Sequence, residues 1–162
     1  MPGHQYSINF ENLSISAATT LVYVRPGAAF GLKLLRAWAT QRGSSTSGQC
    51  AIEIGFRGDN ATPTLVSFTP RPLFDYYPAS LFTGGTTGAA GTCGVNATAE
   101  GGTTFEARIN EDFNNLTGFL WTPVFEEIRL KPGSLKALVL RMGTAPAGTT
   151  NWDGGILFEE CV

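Results

Sequence analysis

The chain has 162 residues, 43% of them hydrophobic and only 15% charged, with a formal net charge of −2. That length suits one domain able to bury roughly 70% of its unfolded surface, and a charged fraction well under the usual quarter leaves a surface of Thr, Ser, Gly, Asn and Ala. The scattered Lys and Arg argue against direct nucleic-acid binding, and no apolar run is long enough to span a bilayer.

The opening MPGHQYSINF lacks a basic stretch followed by an apolar one, so we expect no secretion signal and synthesis in a cytoplasm. We read 1–162 as a single domain with a short, mobile N-terminal arm at 1–5. In YSINF at 6–10, Tyr6, Ile8 and Phe10 alternate with Ser7 and Asn9, the period of a half-buried strand. TLVYV at 20–24 is a β-branched and aromatic run stopped by Arg25-Pro26-Gly27. LKLLRAWATQ at 32–41 has no clear period, but its position between two strands and its end in RGSSTSG favour a strand. QCAIEIGFRG at 49–58 alternates again, and 64–69 is a brief strand candidate. It leads into PRPLFDYYP, whose three prolines forbid a central strand.

The stretch at 83–104, TGGTTGAAGTCGVNATAEGGTT, holds one charge, Glu100, and one larger apolar residue, Val95. We read it as a pliable Gly/Thr-rich extended loop. Gly and Thr allow close backbone approach to a partner, so a docking arm or inter-subunit clasp is expected, against the plainer reading of a floppy surface loop. FEARI, LTGFLW, FEEIRL, LKALVLRM at 135–142 and a closing GILFEE supply further strands. Pro and Gly recur too often for an amphipathic helix of three turns. Roughly eight or nine short strands with long irregular loops predict an all-β fold, an antiparallel β-sandwich, with a jelly roll as its expected form.

Chemistry is sparse. His4 is the single histidine and lies in the arm, whereas nucleophilic triads need a held imidazole, and a His metal site lacks partners. The carboxylate doublets Glu111-Asp112, Glu126-Glu127 and Glu159-Glu160 would point to opposite faces of a strand. We read them as strand ends with one member facing out; a glycosidase using Glu126 or Glu127 with Asp112 is the enzymatic alternative. Glycines at 84–94 lead into no helix, so they make no phosphate cradle. We expect no catalytic residue, no metal and no cofactor.

Cys50, Cys93 and Cys161 show no CxxC spacing. One bridge plus a free thiol is possible, and a reducing cytoplasm favours three thiols. Sequons at Asn12, Asn60, Asn96 and Asn115 are expected by chance in so Asn- and Thr-rich a chain. Phe74, Tyr76, Tyr77 and Phe82 cluster around prolines, and either plug the end of a sandwich or form a contact surface. Trp38 and Trp121 fall in strand patterns and are expected in the core, whereas Trp152, in TTNWDGG, is expected at a surface or interface. The candidate interface residues are therefore His4, Phe74, Tyr76, Tyr77, Phe82, Thr87, Val95 and Trp152.

GFLWTP at 118–123, Glu126-Glu127, Pro132-Gly133, LVLR at 138–141, APA at 145–147 and GILFEE at 155–160 follow one another in the C-terminal half. With YSINFENLSISAATTL at 6–21 and FTPRPLFDYYPAS at 68–80, this order resembles a family of small β-sandwich proteins encoded among the head genes of tailed bacteriophages, the capsid decoration or cement proteins. The resemblance implies a jelly-roll-like fold, assembly as a homotrimer, the major capsid protein as partner, and a place on the capsid exterior. The three cysteines and the length of 83–104 depart from that pattern. A different class, a carbohydrate-binding or host-adhesion module, would use Tyr76, Tyr77 and Trp152 to stack on sugars.

Overall fold

The computed structural model describes residues 3–43, 46–58, 61–102, 104–124 and 127–161. Asn60 and Glu126 therefore lie outside the described residues. Two antiparallel sheets pack face to face as an all-β sandwich, and none of the described residues forms a helix. The first sheet contains β1 (Gln5–Ile15), β3 (Gly31–Arg42), β6 (Arg71–Pro72), β10 (Phe119–Trp121), β11 (Arg129–Leu130) and β13 (Thr150–Cys161). Its order is β10-β3-β13-β1-β6, with β11 also on β3. The second contains β2 (Thr19–Val24), β4 (Gln49–Arg57), β5 (Thr64–Ser67), β8 (Thr92–Ala99), β9 (Phe105–Asn114) and β12 (Ala137–Met142), in the order β5-β8-β2-β12-β4-β9. A two-residue β7 (Thr83–Gly84) runs parallel to β8.

The period-two pattern places the first sheet. Tyr6, Ile8 and Phe10 of β1 are buried while Ser7 and Asn9 face outward, and Ala37 and Ala39 of β3 point inward on the far side of β13. The LKLLRAWATQ ambiguity resolves as strand because β3 pairs along its whole length with β13. A bulge at Leu35 restores the alternation after the Leu-rich run. The main core lies between the sheets, where Phe82 meets Phe30 and Phe158 edge-on at 4.9 and 5.4 Å.

β2 and β12 carry apolar residues at successive positions because both faces of these strands are covered. Leu21, Leu138 and Leu140 belong to the main core, whereas Tyr23, Ala137 and Val139 point to the other side of the sheet. A second cluster there includes Ala61, Leu65 and Ala97. These come from the long insert between β4 and β9, which crosses the outer face of the second sheet to build β8 and β5 beyond β2.

This corrects the reading of 83–104 as an extended loop. The segment contains β8, which pairs with β2 on one side and β5 on the other. Val95 and Cys93 are buried in the core, and the glycines serve the chain's own packing. At Gly88 (φ +67°), a Cβ would come within 2.9 Å of the Tyr23 hydroxyl and 2.7 Å of Pro63. The one charge of the segment also works inward. Glu100 accepts the Thr20 amide and hydroxyl, each at 2.6 Å, and pairs with the buried Arg57 guanidinium.

Candidate interaction surfaces

Residues 71–82 build the first surface. Leu73 donates its amide to the Gln5 carbonyl (2.9 Å), the Tyr6 hydroxyl donates to the Pro78 carbonyl (3.1 Å), and Phe82 enters the core. The Glu160 carboxylate, itself only 5% exposed, accepts the Leu81 amide at 3.0 Å and the Ser80 hydroxyl. Burial pushes the Glu160 carboxyl above its ordinary range, against the hydrogen bonds of Ser80 and the 81–82 amides and the nearby His4. So anchored, the segment presents Leu73, Phe74, Tyr76 and Leu81 to solvent, with Tyr76 75% exposed. Phe74 stacks on Tyr76 at 5.5 Å, and Tyr77 meets both rings edge-on and touches His4 at 4.7 Å.

Of the eight interface candidates, the structure thus brings together His4, Phe74, Tyr76 and Tyr77. Thr87 is exposed on a separate turn of the insert. Phe82, Val95 and Trp152 are core residues. Trp152 is fully buried, its indole N–H donating to the Thr150 hydroxyl at 2.7 Å, because it pairs across from Leu13 on the inward face of β13. Trp38 and Trp121 were both expected in the core: Trp121, opposite Ala37, is partly buried and packs against the core, whereas Trp38 faces the other way. Trp38 sits on the outer face of β3 with the Arg36 guanidinium 5.5 Å over its ring. The arm at 1–5 is likewise tied down from Gly3 onward: Gly3 donates to the Glu159 carboxylate (3.0 Å), and the His4 carbonyl accepts the Glu160 amide (2.9 Å).

The second surface was missed in the sequence. Leu116, Leu120 and Val124 are all more than half exposed, along β10 and its flanks. They stand at the opposite edge of the first sheet from the aromatic loop, about 19 Å away by strand spacing. An open groove of about 820 Å³ lies beside them, lined by Phe56, Ile109, Trp121, Val124 and Ile128 with Arg108 and Arg129 at hand. Edge strand β9 borders it with alternating charges and a bulge at Arg108, devices that discourage strand addition.

Apart from the buried Glu160, the carboxylates of the sequence doublets that the structure describes are hydrogen-bonded, ion-paired or solvated. Glu127 pairs with Lys33 and Arg129, and the Lys33 bond holds its carboxyl below the usual range. Glu111 and Asp112 are exposed. The three cysteines are free thiols, and no group of three or more His, Cys, Asp or Glu among the described residues could hold a metal. No family model, no curated protein and no solved structure matches the chain. The fold and its surfaces define an antiparallel β-sandwich with two exposed apolar groups at opposite edges of one sheet.

Proposed function

We propose that this chain is a structural protein of a bacteriophage virion, a capsid decoration protein that binds the outer surface of the head as a homotrimer and reinforces the capsid lattice. The observation that carries the reading is the pair of exposed apolar groups, Leu73/Phe74/Tyr76/Leu81 and Leu116/Leu120/Val124, on a chain with few surface charges. A subunit that meets both sister copies and a shell needs two such surfaces. Clustered exposed apolar side chains mark interaction sites.

The connectivity supports the same reading. Strands β1 to β4 alternate between the sheets, β9, β10, β12 and β13 do so again, and the last strand returns between β1 and β3. We take this as jelly-roll topology. On a symmetric shell, modest contacts repeated around a trimer hold firmly through effective concentration. Adding the purified protein to expanded, undecorated heads should give saturable binding, with a trimeric mass by light scattering; absence of binding would remove the reading.

One observation favours a second reading, a glycan-binding module on the virion. Phe74 and Tyr76 form an exposed aromatic platform held in place by Glu160 and Tyr6, and aromatic faces stack on sugar rings. Binding on a glycan array that disappears in Tyr76→Ala would establish it.

A further inference from the structure

The two sheets differ in what covers their outer faces. The insert between β4 and β9 closes over the second sheet around Tyr23 and Val139. No segment of the described chain buries the outer face of the first. Two adjacent rungs cross it. One runs Leu120, Trp38, Gly155 and Asn9; the next runs Arg36, Leu157, Ser7 and Arg71.

This face is not an ordinary solvated one. Leu120 is 59% exposed and lies directly opposite Trp38, with Leu157 on the neighbouring rung. Gly155 is buried beside Asn9 and is irreplaceable, since a Cβ there would collide with the Ile8 carbonyl.

The charges are asymmetric as well. Lys33, Arg42 and Arg129 each hold a carboxylate from Glu127, or from Glu11 and Asp153. Arg36 and Arg71 make no ion pair among the described residues and rest instead on the rings of Trp38 and Phe68. They stand at the two ends of one rung, about 14 Å apart at three strand spacings. Two cations so far apart, separated by Leu157 and Ser7, do not track a nucleic-acid backbone, which needs a run of them. They match a protein surface that offers two carboxylates flanking a small apolar projection.

We propose that the outer face of the first sheet, centred on Trp38, Arg36 and Leu157, is the surface that seats on the capsid shell, and that the shell meets it with an acidic, partly apolar patch. This rests on the decoration reading above and names the face that performs it. The test is co-sedimentation with expanded, undecorated heads for the wild type, for Arg36→Glu/Arg71→Glu, and for Lys131→Glu in the exposed turn after β11 as a charge control. Tm and scattering mass are measured on each protein. The expected result is a loss of roughly tenfold or more in affinity for the double variant, with Tm and mass unchanged and Lys131→Glu binding as wild type.

Wild-type affinity in the double variant overturns the proposal and leaves the decoration reading intact. An equal loss in Lys131→Glu also overturns it, since general charge would then explain the effect. No binding by the wild type removes both readings.

Discussion

The Glu160 carboxylate accepts the amide of Leu81 at 3.0 Å across 79 positions of the chain, and so pins the end of the aromatic loop to strand β13. Burial raises its carboxyl above the ordinary range. A group whose folded value is raised contributes stability that is complete at pH below its unfolded value and is lost as pH rises through the folded one. Wild-type Tm should therefore fall, through this group, as pH climbs from about 4 towards neutral. In Glu160→Gln, whose amide copies the shape of the protonated acid, this component is missing. The variant should match wild type near pH 4 and gain on it by pH 7 in thermal melts. A variant that instead loses ground as pH rises would refute the sign.

Glu100 fastens the Gly-rich insert to the second sheet through Thr20 and Arg57. Desolvation already lowers the Arg57 guanidinium below its usual value despite the carboxylate opposite. Removing that carboxylate takes a charge partner from the buried Arg57, a change costing about 3–5 kcal/mol where both groups of a pair are buried. Because the Glu100 side chain is 32% exposed, Glu100→Ala should fall at the lower end of that range in urea denaturation. Hydrogen exchange should show the 92–104 amides opening before β2 and β12.

Trp152 separates stability from binding. Truncating a fully buried Trp costs about 3–5 kcal/mol, a large part of a domain's total stability. Trp152→Ala should lose Tm heavily, so any binding defect in it reports unfolding. Tyr76→Ala, at an exposed position, should shift stability by less than about 0.5 kcal/mol. It is the variant in which a loss of glycan or protein binding reports the surface itself.

The thiols give a test of the buried strands. Cys93 is fully buried in β8, and burial pushes its thiol up to about 12. Cys50 is also buried, and Cys161 is half-buried with its thiol raised by burial and by Glu159. Thiolate is the reactive form. An alkylating reagent at neutral pH should label the native protein slowly and at Cys161 first, and should label all three residues in denaturant, as read by peptide mass spectrometry. Rapid native labelling of Cys93 would mean that β8 is not held in the sheet.

What the sequence determined alone is the class of fold and most of its strands. The period of two in YSINF and QCAIEIGFRG, and the turn residues closing each run, are local properties that no tertiary arrangement needs to supply. Where local composition misled, the cause was non-local. TCGVNATA looks featureless because its partners, β2 and β5, provide the apolar surface that small residues then pack against. Trp152 sits among turn residues yet faces inward, because its orientation follows from register with Leu13 across β1 and β13. Trp38 faces outward for the same reason. The aromatic cluster was legible as a cluster of types around prolines, but the outer face of the first sheet was not. Its residues lie on β1, β3, β6, β10 and β13, dispersed through the chain, and only strand pairing lays Arg36, Leu157, Ser7 and Arg71 along one rung.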